Sequence, residues 1–211
     1  MSITGRILLG AGILAGLIII APFALLATGA YRLMYIPAES MLPTFDVGDK
    51  IVVRMSPPAM FNRGDIVVVN NGSGSLYIKR IAGLAGDRIA VRGGIVILNG
   101  RPVPQRQIGE DQVQPGIYGN RARRLVEQFP GEASPHEIYD LGDSRGDEFA
   151  EHVVTPEHVF LLGDNRDQSA DSRFSREEQG LEQVALSDIR GAPLFFYATA
   201  GRHRVGDGAG H

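Results

Sequence analysis

The longest apolar run of the chain lies near its N-terminal end, where residues 7–30 contain no charged side chain. A helix of that length rises about 36 Å, enough to cross a hydrocarbon layer of about 30 Å. The run is longer than the apolar core of a cleaved leader, about 7–15 residues, and it lacks the polar face of a buried amphipathic helix. The pattern predicts one retained transmembrane anchor at 7–30, preceded by a short N-terminal segment at 1–6.

Beyond the anchor, short runs rich in β-branched residues alternate with turn signals. Gly-Gly and Asn-Gly steps between some of these runs favour hairpins. Because no strong helical periodicity follows the anchor, the pattern predicts a mainly β fold built on an antiparallel β-sheet. The predicted strand segments are 50–54, 66–69, 76–81, 88–92, 95–98, 158–162 and 194–197.

Polarity divides the rest of the chain. Residues 105–153 are rich in Arg, Glu, Asp, Gly and Pro and show little alternation, which predicts an inserted polar lobe or loop. The β-domain would then consist of residues 31–104 and 154–200. The last residues, 201–211, are predicted to form a disordered tail.

Composition excludes several classes of site. The net charge of −3 gives no reason to expect nucleic acid as a partner, and the absence of cysteine excludes disulfides, thiolate metal sites and a Cys nucleophile. The five histidines have no metal-ligand spacing and are expected to be ordinary solvated or hydrogen-bonded residues. No metal and no cofactor is predicted. These histidines are His136, His152, His158, His203 and His211.

Lysine usage points to a candidate base. Of the 21 basic residues only Lys50 and Lys79 are lysine. Arginine stays protonated in proteins, whereas a desolvated lysine can lose its proton and accept one from a hydroxyl. Strand alternation over 76–81 puts Lys79 on the face of Tyr77 and Ile81, where burial favours the neutral amine. The local sequence alone also allows a strand-edge lysine whose amine reaches water.

Two further segments carry candidate chemistry. Ser40 lies just beyond the anchor between Pro37 and Pro43, which hold extended or turned backbone on both sides. Such turns are common. Residues 163–173 hold five charged side chains and two hydroxyls. This segment is either a solvated loop or a hydrogen-bonded layer that supports a site.

Four motifs in order resemble the successive conserved boxes of bacterial type I signal peptidases. They begin directly after the predicted membrane segment and cover most of the chain outside the polar lobe. The resemblance implies a signal-peptidase-type catalytic β-domain and a membrane-bound serine endopeptidase that removes signal peptides by cleavage after small residues, in A-x-A patterns. The motifs are SMxPT at 40–44, GDxIxV at 48–53, RGDIVVV with YIKRIxGLxGD at 63–87, and GDNRDxSxDSR at 163–173.

The resemblance also assigns roles to residues. Ser40 corresponds to the nucleophile and Lys79 to the general base. Ser169 corresponds to a hydroxyl that orients the lysine. Asp171 and Arg173 correspond to a supporting ion pair, and Met41 corresponds to an apolar residue that covers the amine. An extended substrate is expected beside protein strands, with pockets for two small side chains lined by Ile36, Phe45, Ile51, Val68, Tyr77 and Ile78.

The sequence departs from the family pattern at three places. Ala38 stands where many members carry a serine that helps stabilise the oxyanion, so this role would depend on the backbone N–H of Ser40 and other nearby donors. Gln168 stands where asparagine is usual. Residues 174–183 are polar where a GF-type segment is common. None of these changes removes a reacting group.

The expected partners are signal-peptide-bearing preproteins, the lipid bilayer and the protein export machinery. The resemblance implies a location in the bacterial inner membrane, with a single pass, a short cytoplasmic N-terminus at 1–6 and the catalytic domain on the periplasmic or outer face. Two alternatives remain open: a conjugation-type pilin-maturing peptidase of the same clan, and a non-catalytic membrane-tethered β-domain that binds peptides. A self-cleaving repressor would need a helix-turn-helix and no membrane span.

Overall fold

The computed structural model describes residues 26–116 and 119–200 of the chain. The predicted N-terminus at 1–6, residues 7–25 of the predicted anchor and the predicted tail at 201–211 lie outside the described residues. No helix within the described ranges is long and apolar enough to cross a membrane.

Fourteen strands carry the fold of the described residues. In chain order they are β1 (Tyr31–Tyr35), β2 (Lys50–Arg54), β3 (Ile66–Asn70), β4 (Leu76–Leu84), β5 (Arg88–Arg92), β6 (Ile95–Leu98), β7 (Arg101–Pro102), β8 (Gln105–Gly116), β9 (Gly119–Glu127), β10 (His136–Asp140), β11 (Phe149–Val153), β12 (His158–Leu162), β13 (Val184–Ala185) and β14 (Ile189–Ala198). Single-turn 3-10 helices occupy Glu39–Met41, Arg145–Asp147, Arg176–Glu178 and Leu186–Asp188.

The strands form three antiparallel sheets. The largest has the order β1-β2-β14-β3-β4-β12-β13, the second β11-β5-β6-β7, and the third β10-β9-β8. Each of the seven strand segments predicted from the sequence falls within one of these strands. The predicted mainly β fold with antiparallel sheets is therefore confirmed.

The centre of the largest sheet is buried on both faces. In β3, Val68 packs with Phe45 and Ile36 on one side, whereas Val67 packs with Leu161 on the other. A strand covered on both faces has no polar positions to alternate with, which explains the continuous apolar run of β3. β4 pairs with β3 on one side and β12 on the other, so its middle residues are shielded from water.

The predicted polar lobe contains the third sheet. Strands β8, β9 and β10 lie within 105–153, and β11, at the end of the same segment, pairs with β5 of the second sheet. The small core here is Ala122, Tyr139 and Leu141. Ion pairs link neighbouring strands, including Arg124 with Asp111 at 3.2 Å. Because charged pairs replace apolar ones across this sheet, its strands have little hydrophobic alternation in the sequence.

We predict that Gly191→Ala destabilises the fold strongly. Gly191 lies where β14 passes from β2 to β3, and an added Cβ would overlap the main-chain carbonyl of Arg54. Because the obstacle is backbone, we expect a loss of at least about 2 kcal/mol in the free energy of unfolding. Gly109→Ala is the control, since its Cβ would meet only the end of the Arg124 side chain at 3.6 Å. Denaturant unfolding measures both, and equal effects would contradict the prediction.

Candidate active site

Ser40 and Lys79 meet in the folded chain. Ser40 lies in the single-turn helix Glu39–Met41, and the backbone is extended at both flanking residues, Ala38 and Leu42. Lys79 lies in the buried part of β4 and is 2% exposed. The Lys79 Nζ and Ser40 Oγ atoms are 2.8 Å apart. An amine and a hydroxyl at this distance can exchange a proton directly.

The surroundings of Lys79 favour its neutral form. Burial lowers the pKa of the Lys79 amine to about 8, although the carboxylates of Asp171 and Asp164 act in the opposite direction. The Tyr77 ring lies 5.6 Å from Nζ, as expected from the strand alternation. An amine with this pKa is partly neutral near physiological pH and can accept the proton of a hydroxyl.

Residues 163–173, here called the support loop, hold the serine in place. The backbone N–H of Asn165 donates to the carbonyl of Ser40 at 3.2 Å, and its side-chain Nδ2 donates to the carbonyl of Glu39 at 3.1 Å. Two hydrogen bonds from one residue thus fix the single-turn helix. In the sequence, only its place in the motif at 163–173 distinguishes Asn165.

Asp171 and Arg173 form the expected ion pair inside the support loop. Their side chains make two contacts, Arg173 Nη2 to Asp171 Oδ2 at 2.8 Å and Nε to Oδ1 at 2.9 Å. The backbone N–H of Gly163 also donates to Asp171 at 3.0 Å. Burial opposes ionisation, but Arg173 outweighs it and holds the pKa of Asp171 below its ordinary value. Asp171 therefore stays anionic near the amine.

Ser169 lies at the site without the expected hydrogen bond to Lys79. It is 5% exposed, and its Oγ has no hydrogen-bond partner among the described residues. An added Cβ at Gly163 would overlap both Ser169 and the carbonyl of Ser40, so these three residues are in close contact. The structure thus brings Ser169 beside the backbone of Ser40, and its role as the orienting hydroxyl stays a prediction.

A second ion pair lies behind the base. Arg80, the neighbour of Lys79 in β4, contacts both carboxylate oxygens of Asp164, at 2.8 and 2.6 Å. Thr44 donates a short hydrogen bond to the same carboxylate. Burial opposes the Asp164 anion, but Arg80 keeps the pKa of Asp164 below its ordinary value. This ion pair joins β4 to the support loop. The two lysines of the sequence give no indication of it, because neither partner is a lysine.

A cleft of about 320 Å³ opens beside the Ser40–Lys79 pair. Four predicted pocket residues line it, namely Ile36, Phe45, Tyr77 and Ile78, as does Met41. Ile51 and Val68 do not line the cleft and lie in the buried core that backs it. Lining residues that the sequence interpretation did not assign to the pockets are Met34, Tyr35, Pro37, Ala38, Leu76, Gln168 and Ala170.

A pattern in the sequence could have found some of them. Met34 and Leu76 each stand two residues before a predicted pocket residue, and residues two apart in extended chain share a face.

A larger cavity of about 450 Å³ lies elsewhere and includes neither Ser40 nor Lys79 in its lining. In the described part of the chain, no group of three or more His, Asp or Glu side chains is arranged to hold a metal ion.

The chain is similar to peptidases of one family. A family model described as signal peptidase, peptidase S26, matches residues 9–197. A signal peptidase I of Leptolyngbya laminosa is 31% identical over an alignment of 154 residues that covers 66% of this chain and 58% of that protein. Signal peptidase I S of Bacillus subtilis is 29% identical over 164 residues, 77% of this chain and 74% of that protein.

A signal peptidase I of Pseudomonas aeruginosa is 31% identical over an alignment of 156 residues that covers 66% of this chain and 53% of that protein. The chain therefore spans between about half and three quarters of the length of these curated relatives.

We predict that Lys79→Met stabilises the fold near pH 7. Folding lowers the pKa of the Lys79 amine from 10.5 to about 8. Below this pH the amine is charged in both the folded and the unfolded chain, and its burial there reduces the free energy of unfolding by up to about 3 kcal/mol. The folded wild type releases its proton first as pH rises, so its stability increases between pH 8 and 10.5 and the advantage of the variant shrinks.

Denaturant unfolding at several pH values measures this difference. Lys50→Met is the control, because Lys50 is exposed and its removal should change the free energy of unfolding by less than about 0.5 kcal/mol. A Lys79→Met chain that is less stable than the wild type at pH 7 would contradict the prediction.

Proposed function

The chain belongs to the S26 family of signal peptidases, and we propose that it removes signal peptides from exported precursor proteins with Ser40 as nucleophile and Lys79 as general base. The observation that carries the proposal is the 2.8 Å contact between the Ser40 hydroxyl and a buried amine whose pKa is lowered to about 8.

The reaction follows from this pair. Neutral Lys79 takes the proton of Ser40 as its Oγ attacks the scissile carbonyl carbon, giving a tetrahedral intermediate. The resulting ammonium protonates the leaving amine as the C–N bond breaks and an ester to Ser40 forms. Neutral Lys79 then deprotonates a water that attacks the ester, and the ammonium returns the proton to Ser40.

The site has few side chains that could donate a hydrogen bond to the oxyanion. Ala38 carries no hydroxyl, so we infer that the backbone N–H of Ser40 is the main donor to the developing oxyanion. The two hydrogen bonds from Asn165 fix the carbonyls of Ser40 and Glu39, which holds this backbone in one conformation. A donor that is fixed before the reaction costs no reorganisation during it.

The cleft supports cleavage after small residues. Bulky apolar side chains line it, among them Ile36, Phe45 and Ile78, and its volume is about 320 Å³. We infer that an extended peptide lies between residues 34–38 and 76–79 and places two small side chains, as in A-x-A, against these walls. A larger side chain would have to displace atoms of the packed core behind the cleft.

A membrane position is consistent with two exposed apolar side chains, one on β1 and one on β14. Leu33 and Phe195 are 51% and 40% exposed, and both pair with Val52 across β1, β2 and β14. Such an apolar row suits a surface near lipid better than one in bulk water. We infer that residues 7–30 anchor the chain in the inner membrane and that the catalytic domain works on the outer face, where a precursor's own apolar segment brings the scissile bond.

We predict that Ser40→Ala, Lys79→Ala and Lys79→Arg each abolish precursor cleavage. Alanine at 40 removes the attacking oxygen, alanine at 79 removes the base, and arginine at 79 cannot lose its proton. Incubation of the detergent-solubilised protein with an exported precursor should show rates at least about 10³-fold below wild type.

Lys50→Arg is the matched control for the lysine variants and should cleave as the wild type does. Wild-type rates in any of the three site variants would refute the assigned roles. A folded wild type that binds but never cleaves precursors would favour the peptide-binding alternative, and cleavage confined to pilin precursors would favour the pilin-maturing one.

We also predict that kcat/KM rises with pH to a plateau, with a midpoint of about 8. Only the neutral amine can accept the serine proton, so kcat/KM should fall about tenfold per pH unit below the midpoint. Initial rates at low precursor concentration, measured from pH 6 to 9.5, give the profile. A rate independent of pH through this range would contradict a titrating base at Lys79.

A further inference from the structure

A buried cluster of charged side chains joins the lobe to the β-domain that carries Ser40 and Lys79. Its six members, here called the lobe cluster, come in equal number from the two parts. None has a side chain more than 6% exposed, and the mechanism above uses none of them as a reacting group. The members are Glu127, Glu132 and His136 from the lobe and Arg80, Asp164 and Arg166 from the β-domain.

The Glu127–Arg166 pair is the most direct link. Glu127, the last residue of β9, is 0% exposed. Arg166 Nη1 lies 3.1 Å from Glu127 Oε1, and a second, shorter contact joins Nη2 to Oε2. Gln105 of β8 also donates to Oε1 at 2.8 Å. Burial opposes ionisation, but Arg166 outweighs it and holds the pKa of Glu127 far below its ordinary value.

The remaining charges balance within the cluster. His136 lies 2.8 Å from Glu132 through Nδ1 and 3.3 Å from Glu127 through Nε2. Burial and Arg80 disfavour the imidazolium, but the two carboxylates outweigh them and raise the pKa of His136. With His136 protonated, three cations face three anions, which is the arrangement that makes buried charges tolerable.

The same contacts reach the support loop. Arg166 and Asp164 belong to it, and Tyr139 of β10 exchanges backbone hydrogen bonds with both, at 3.0 and 2.8 Å. Between these two residues is Asn165, which holds the carbonyl of Ser40. Arg166 also donates through Nε to the carbonyl of Gly163 at 3.2 Å, and its own carbonyl accepts from Arg173.

We propose that Glu127 is a positioning residue for the reaction, because it holds Arg166 and thereby fixes the support loop against Ser40 and Lys79. The lobe is then part of the construction of the active site. The expected effect on the rate of cleavage rests on the proposed function, whereas the expected effect on the position of the support loop does not. A displacement of about 1 Å in such a layer can reduce a rate about 10²-fold.

The test compares three variants of the full chain in detergent. Glu127→Gln keeps the shape of the side chain and removes its charge. We expect kcat to fall about 10- to 100-fold with KM within about threefold of wild type, because the cleft walls other than Gln168 and Ala170 lie outside the support loop. Glu137→Gln is the control, since the side chain of this lobe glutamate is 44% exposed and its contact with Arg124 is long, at 3.6 Å. It should cleave within about twofold of wild type.

The double variant Glu127→Gln/Arg166→Met separates positioning from stability. Replacing both members of a buried ion pair with neutral side chains often restores stability. We expect the thermal midpoint of the double variant to return close to that of wild type while kcat stays low. A kcat that recovers together with the thermal midpoint would overturn the proposal. If Glu127→Gln alone does not fold, the double variant carries the kinetic test.

A second readout does not depend on cleavage. Since the chain has only two lysines, lysine labelled with ¹³C and ¹⁵N gives two side-chain signals, and Lys50 serves as internal reference. We expect the NMR titration midpoint of Lys79 to move by at least about 0.5 pH units in Glu127→Gln and to stay in Glu137→Gln, because the charges of the support loop act on the amine.

An unchanged Lys79 midpoint in Glu127→Gln would overturn the proposal. A wild-type chain that cleaves no precursor would instead refute the proposed function, and the lysine titration would still decide whether Glu127 positions the loop.

Discussion

The site depends on an amine kept away from water next to an alcohol. Lys79 is almost fully buried in β4, and the cost of placing an ammonium there is what brings its pKa down to about 8. Burial of this amine therefore lowers the stability of the fold at neutral pH, and the role proposed for Lys79 as a base depends on that burial. Such local cost is common at functional sites, where the requirements of chemistry and of folding differ. The apolar core that covers β3 and β4 on both faces offsets the destabilisation caused by the buried amine.

Charged residues around the base have a different task from the base itself. Asp171 with Arg173, Asp164 with Arg80, and Glu127 with Arg166 are each buried as pairs, so no member leaves an uncompensated charge. Arginine is suited to this role because it stays charged and presents several donors in a fixed plane. Lysine in the same positions would bring further titratable amines into the site. The strong preference of this chain for arginine is consistent with that division of labour.

Sequence reasoning reached the two candidate reacting residues but only part of their surroundings. Strand alternation placed Lys79 beside Tyr77, and the motif order paired it with Ser40, as the structure has them. The predicted hydrogen bond of Ser169 to the amine is absent from the described residues, and Ile51 and Val68 back the cleft without lining it. Alternation tells which face of a strand a residue occupies. It does not tell how far that face is covered by other elements, and this coverage separates a core residue from a pocket residue.

The sequence by itself determined seven strand segments of the β-domain, because β-propensity and turn residues are properties of short segments. Its four motifs in order indicated the family and the two candidate reacting residues. Only the tertiary structure decided that residues 105–153 contain a three-stranded sheet, and that Glu127, Glu132 and His136 from this lobe meet Arg80 and Arg166. The strands of the lobe are joined by charged pairs, so their hydrophobic pattern is weak. Contacts between residues tens of positions apart depend on how the sheets pack, and no local signal in the chain encodes that packing.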